Sequence, residues 1–347
     1  MKERYFIASN SSEGFCSYYE GAFDVRKFNK IYVIKGGSGT GKATFMKRVA
    51  ELAEEKGFGV RYIYCSSDAQ SLDGIIIKEL KIAVLDGTAP HIYEPKYLGA
   101  LEELVDLGRF LNARLLQNSR KLIENLCLEK QKCFLAAYRA LSAYEGFSKS
   151  IEALVLPYVK REKIEKYLKK FTRELKCGGG ETEHLLTRSI GMRGLSSFDT
   201  YYELATLYYE INDYFDTAHI FTGILYSLLA KAQTDMQISD NPIMKGRIDA
   251  LKIKENGLTF EIGNGMTDGA RVINMKRFID CAGIAGVRAE YRRLARLRDE
   301  SLQLALDEFD KIKKYHFLLE EIYGSAMDFA AKEQFTNDFC KKIFEKN

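Results

Sequence analysis

No window of the sequence approaches the ~20 consecutive apolar residues that cross a bilayer, and Met1 to Ser9 lacks the apolar stretch of a signal peptide. A cytoplasmic protein with no membrane partner is therefore expected. Cys-x-x-Cys pairs are missing too. The seven cysteines, at 16, 65, 127, 133, 177, 281 and 340, are odd in number and scattered, which argues against a disulfide framework or structural zinc and predicts reduced thiols. Charge of one sign is scarce: the net charge is +4 over 347 residues, with no long basic run interleaved with aromatics. Nucleic acid as a partner thus gains no support. Proline is nearly absent from Leu98 to Lys176, where only Pro157 occurs in a stretch rich in Leu, Lys and Glu. Long helices are expected there.

What is present is enough apolar content, 46%, for proper cores, and a length that suggests roughly two domains. Short apolar runs at Tyr5 to Ala8, Ile31 to Ile34, Val60 to Cys65 and Ile82 to Leu85, with a further one at Ile75 to Ile77, alternate with helical stretches. That pattern predicts an α/β fold with a parallel sheet covered on both faces. Leu111, Leu115, Leu122, Leu126 and Cys133 recur at spacings of four and seven, which predicts one stripe of a long helix. Leu302, Ala305, Phe309, Ile312, His316, Leu319 and Tyr323 form a second seam, in which His316 reads as core. Cys177 to Gly180 reads as a linker between residues 1–177, with a helical extension from about 98, and residues 178–347.

The chemistry gathers at Ile31 to Met46, where an apolar run feeds Gly36-Gly37-Ser38-Gly39-Thr40-Gly41-Lys42 and then Ala43 and Thr44. A P-loop requires Gly, four residues, Gly-Lys, then Ser or Thr; Gly36, Gly41 and Lys42 satisfy it and Ala43 does not. Glycines let successive N–H groups turn inward around phosphate oxygens, Lys42 adds a point charge, and the helix from Ala43 offers its N-terminal dipole to the same anion. Thr44 offers a hydroxyl close by. Ile82 to Asp86 is an apolar strand ending in a carboxylate, the position that faces magnesium in P-loop proteins. Asp86 and Thr44 are therefore the metal candidates. Asp68, which closes the Val60 strand, is the candidate base or water-positioning group, whereas Asp73 before Gly74 reads as a turn residue. His91 sits in the loop after Asp86; His184 and His219 show no partner at metal-ligand spacing.

The second half echoes the first. Tyr5, Phe6, Ser9, Gly14, Phe15, Ser17 and Tyr18 match Leu185, Leu186, Ser189, Gly194, Leu195, Ser197 and Phe198 at an offset of 180. With small shifts Ser67-Asp68 falls on Ser239-Asp240, and Ile82 to Gly87 on Leu258 to Gly263, so a diverged tandem repeat is expected. Its loop, Asn212 to Ile220, has no glycine and puts Ala218 at the lysine position. Tyr214 and Phe215 are expected to fill the phosphate space, and Asp213 and Asp216 to repel an anion.

Gly36 to Lys42, Tyr64 to Asp68, Ser71 to Gly74 and Asp86 to His91 together resemble an uncharacterised bacterial family of ATPase-like proteins with two P-loop NTPase domains in tandem. In that family the first loop usually continues Lys-Ser-Thr and the second copy usually carries its own Gly-Lys-Ser/Thr loop; this chain departs in both places. The resemblance implies nucleotide binding and leaves the reaction open. The expectation is an ATP-binding, or GTP-binding, protein using Mg²⁺, with slow NTPase activity in which Lys42, Asp68 and Asp86 take part. A small-molecule kinase and a non-catalytic nucleotide sensor or scaffold are the alternatives. A protein partner docked on the helical segments is compatible with either.

Overall fold

The computed structural model describes residues 2–89, 93–173, 175 and 178–345. The first half runs β1 (Glu3–Phe6), β2 (Ala8–Ser11), β3 (Gly14–Ser17), α1 (Tyr19–Ala22), β4 (Lys30–Lys35), α2 (Lys42–Glu55), β5 (Val60–Tyr64), β6 (Leu72–Ile77), β7 (Ile82–Asp86), β8 (Glu102–Asp106), α3 (Ala113–Asn118), α4 (Arg120–Val155) and α5 (Arg161–Thr172). The second runs β9 (Thr182–His184), β10 (Arg188–Gly191), β11 (Gly194–Ser197), α6 (Thr200–Glu203), β12 (Leu207–Asn212), α7 (Ala218–Lys231), β13 (Met236–Asp240), β14 (Ile248–Ile253), β15 (Leu258–Gly263), β16 (Arg271–Asn274), α8 (Cys281–Ala285), α9 (Arg288–Ser325) and α10 (Phe329–Glu345). Among the described residues no helix is long and apolar enough to cross a membrane.

The fold is α/β, with two six-stranded sheets ordered β1-β5-β6-β7-β4-β8 and β9-β13-β14-β15-β12-β16. Neither is purely parallel as the apolar runs suggested. β6 lies antiparallel to both β5 and β7, and β14 antiparallel to β13 and β15. The reason is connection length: residues 78–81 alone join β6 to β7, and a parallel crossover needs a dozen residues or more. Register also corrects one pairing of the two halves. Ile63 and Tyr64 face Gly74 and Leu72 as Ser239 and Asp240 face Ala250 and Ile248, so Ser239-Asp240 stands where Ile63-Tyr64 does and not at Ser67-Asp68.

The stretch from Leu98 is not helical throughout. Glu102 to Asp106 forms β8 at the sheet edge, paired in parallel with β4, because cross-strand pairing overrides the helical preference of its glutamates. The expected Leu111 to Cys133 stripe is broken as well: Leu111 lies before α3, the chain turns at Ser119, and only Leu126 and Cys133 are buried while Leu115 and Leu122 stay exposed. Cys177 lies outside the described residues.

Helices α4 and α9 pack antiparallel along most of their length, since Lys130 meets His316 at one end and Tyr144 meets Arg298 at the other. Cys133, Ala137 and Leu141 interlock there with Ala305, Phe309 and Ile312. This pairing carries each half's last helix across to the other half. Ile164 and Leu168 of α5 enter the core of the second sheet beside Phe221 and Phe260, and Phe339, Cys340 and Ile343 of α10 enter the core of the first beside Phe45 and Val49. The halves also meet directly. Phe6 and Leu186 exchange backbone hydrogen bonds of 2.7 and 2.9 Å, and Tyr5, Tyr19 and Phe23 share a buried cluster with Leu185 and Tyr201.

Candidate functional site

The glycine-rich loop joins β4 to α2 at one end of the first sheet. Gly41 caps α2 with φ 77° and Gly39 has φ 71°, angles that cost an L side chain ~1–2 kcal/mol. Gly39 is also crowded: a Cβ there would come within 2.6 Å of the Glu320 carbonyl oxygen on α9. Phe45 is the first residue whose N–H bonds back to the loop, donating to the Gly41 carbonyl at 3.0 Å. The N–H groups of the preceding turn face outward, which is the anion-binding end of a helix.

Lys42 folds back over the loop. Its Nζ donates to the carbonyl oxygens of Gly36 and Gly37, both at 2.9 Å, and lies 3.5 Å from Asp86 Oδ2. The loop is braced from two more directions, by Thr40 Oγ1 donating to Gly37 O at 2.9 Å and Thr88 Oγ1 donating to Gly36 O at 3.0 Å. Asp86 ends β7, as expected, and its Oδ1 accepts from the Thr88 N–H at 2.8 Å. Burial raises its pKa above the ordinary carboxylate value, Lys42 working against that shift and Asp73 adding to it.

A cavity of about 660 Å³ opens over this loop. Gly37, Ser38, Gly39, Thr40, Gly41, Lys42, Ala43, Thr44, Asp68 and Asp86 all line it, so the expected site residues other than Gly36 converge on one space, and Gly36 contributes its carbonyl to Lys42. Asp73 lines it too. It is a residue of β6 and not of a turn, and Gly74 is in the strand because a Cβ there would meet Phe23 Cζ at 2.8 Å. His316 is likewise on the cavity wall and not in the core. His91 lies outside the described residues.

Asp68 does not stand free. Its Oδ1 accepts from the N–H of Gln70 at 3.1 Å and from Arg193 Nε. Arg193 sits at the tip of the β10–β11 hairpin, which docks on the first half through Met192 N–H to Ser67 O at 2.9 Å and Ser189 Oγ to Ser66 O at 2.9 Å. The offset of 180 aligned this hairpin with β2–β3, yet nothing local in the sequence tied Arg193 to Asp68. Lys130, Phe134 and Tyr138 of α4 and Glu320 of α9, also on the cavity wall, had no signal beyond helical periodicity.

The corresponding loop of the second half is closed by its own chain. Asp213 Oδ1 accepts from the N–H groups of Tyr214, Thr217 and Ala218 at 2.8, 2.9 and 2.8 Å. Its carboxylate thus occupies N–H groups at the start of α7, in addition to the negative charge that the sequence pointed to. Phe215 packs on Tyr291 with ring centroids 4.5 Å apart, and Asp216 pairs with Arg298 at 2.5 Å.

Among the described residues no group of three or more His, Cys, Asp or Glu is placed to hold a metal by itself. Magnesium takes one or two carboxylates and completes its shell with phosphate oxygens and water. Asp86 fits that role, with Thr44 on the same cavity wall and Ala43 contributing no oxygen. Comparison with family models, curated proteins and solved structures finds no match to the chain.

Proposed function

We propose that the chain binds a nucleoside triphosphate, ATP or GTP, together with Mg²⁺ at the loop between β4 and α2, and hydrolyses it slowly. The observation that carries this reading is the convergence of the glycine loop, Lys42 and Asp86 on one cavity of about 660 Å³, a size within the ordinary range for small-molecule sites. Lys42 would exchange its two carbonyl partners for phosphate oxygens, the α2 N-terminus would hold the same group, and Asp86 would orient the ion. The ion would neutralise charge building on the transferring group, an effect worth several kcal/mol when the metal is well held. With Ala43 at the position that usually supplies a hydroxyl, turnover is expected to be weak.

The same reading takes the chain as a diverged duplication of a P-loop unit, resembling the tandem ATPase-like family, in residues 1–177 and 178–347. Matching strand orders and matching antiparallel strands in the two sheets support it. The second unit, plugged by Asp213, serves as a structural or regulatory partner in a cytoplasmic protein. A small-molecule kinase is the second reading. It is favoured by the extension of the cavity past the loop to Phe134 and Tyr138, which leaves room for an acceptor beside Asp68. A sensor without turnover is the third.

The test is titration of the protein with ATP and with GTP, with and without Mg²⁺, beside Lys42→Ala. Saturable, Lys42-dependent binding is the expected result. Binding indifferent to Lys42, or none, removes the nucleotide reading. A rise in ADP formation on adding an acceptor would move the assignment to a kinase.

A further inference from the structure

Lys130 projects from α4 into the cavity. Its Nζ lies 3.2 Å from His316 Nδ1, and His316 Nε2 lies 3.3 Å from Glu320 Oε1. An ammonium has only protons to give, so Lys130 donates and Nδ1 accepts, while Nε2 stands close to Glu320. Lys130 is a half-buried cation hydrogen-bonded to an imidazole nitrogen, and no described carboxylate forms an ion pair with it. Burial lowers its pKa, with Cys127, Cys65 and Glu320 pulling the other way. A cation drawn partly out of water without a counter-ion is costly, and the space in front of this one is the space that the glycine loop faces.

Geometry locates it with respect to the loop. α9 rests on the loop at Glu320, whose carbonyl oxygen would be 2.6 Å from a Cβ on Gly39. His316 is one helical turn back, about 6 Å along the helix axis. The Lys130 ammonium thus faces, from α4, the cavity that Cys65 and the loop residues also line. We propose that Lys130 binds the terminal phosphate of the nucleotide, held in position by His316 and Glu320, so that the site distinguishes a triphosphate from a diphosphate. This inference rests on the nucleotide reading above. It also gives that reading a consequence across the molecule: Lys130 is on the long helix of one half and its two supports are on the long helix of the other, so the terminal phosphate would bridge both.

Calorimetric titration of the full chain with ATP and with ADP, both with Mg²⁺, tests it in the wild type, Lys130→Met and Lys130→Arg. Expected is at least a tenfold loss of ATP affinity in K130M with ADP changed less than twofold, and a partial return of the preference in K130R. His316→Ala should narrow the ATP-to-ADP ratio without abolishing either binding. Because K130M removes an uncompensated charge, its melting temperature should equal or exceed that of the wild type, and K130R supplies the reading if it does not. An unchanged ratio in K130M and K130R, with Lys42-dependent binding intact, overturns the role of Lys130 and leaves the nucleotide site standing. Equal losses for ATP and ADP overturn it as well. Absence of Lys42-dependent binding in the wild type overturns both.

Discussion

Lys42→Met should destabilise the protein in a way that depends on pH, and the amount follows from its contacts. The side chains of Lys42 and Asp86 are 14% and 13% exposed with 3.5 Å between charged atoms. At an effective dielectric of ~20 that separation corresponds to about 5 kcal/mol of attraction. The two loop carbonyls that lose Lys42 keep donors in Thr88 and Thr40, so they are not orphaned. What remains is Asp86, buried without its cation, and it escapes by taking a proton. Protonating a carboxyl with an ordinary pKa costs about 4 kcal/mol at pH 7 and about 1.5 kcal/mol at pH 5, so these values cap the loss. The sign follows from linkage. Asp86 already has a raised pKa in the folded chain, and K42M raises it further; the unfolded chain then ionises first, and the mutant loses stability as pH rises. Urea unfolding at pH 5 and pH 7 should give a K42M penalty of roughly 1 and 3 kcal/mol, and Asp86→Asn added to K42M should recover most of the difference. A penalty equal at both pH values would refute the coupling.

Three further outcomes are expected. Asp213→Ala removes the acceptor of three N–H groups at the start of α7 and should cost about 2 kcal/mol in urea unfolding, whereas Asp213→Asn should cost less; equal effects would mean that the carboxylate charge is immaterial. Gly39→Ala forces a side chain at φ 71° against the Glu320 carbonyl and should lower the melting temperature by roughly 3 °C for about 2 kcal/mol; an unchanged Tm would contradict the close packing of α9 on the loop. Glu261, pushed up to about 7 by burial against the pull of Arg188 and Tyr208, stays protonated in the folded chain after the unfolded one has ionised. Its contribution is therefore full below about pH 4.5 and lost towards pH 7, about 3 kcal/mol in all. Glu261→Gln should flatten the stability profile over that window.

Local chemistry was the legible part of this sequence. The turn into α2 was legible in residues 36–44, because glycines before a lysine at the end of an apolar strand mark it, although Thr88 and α9 also brace it. Asp86 was legible for the same reason, as the last residue of a buried strand. Partners brought together by the tertiary fold were not. Arg193 reaches Asp68 across 125 residues, and no periodicity records that. A hydrophobic stripe does not name the surface that covers it, so the exchange of α5 and α10 between halves left no trace in the sequence. β8 was hidden because a strand paired along one edge needs few apolar residues; only Glu102 and Val105 are buried in it.

The two loops differ in what stands before their backbone N–H groups. Both lie between a central strand and the helix that follows it. In the first, glycines leave the space in front of those groups to the cavity, and the neighbouring charges, Lys42 and Asp86, have to balance each other. In the second, residues 213–217 replace residues 36–41, and the first of them bends its carboxylate into the turn. That carboxylate is covalently tethered, so holding those N–H groups costs no binding entropy. The first loop is held from outside instead. Its neighbours there, Glu320 of α9 above Gly39 and Lys332 of α10 against Gly41, both belong to the second half. The two helices are anchored differently: α10 lays its apolar face in the core of the first sheet, whereas α9 holds Asp216 of the other loop through Arg298.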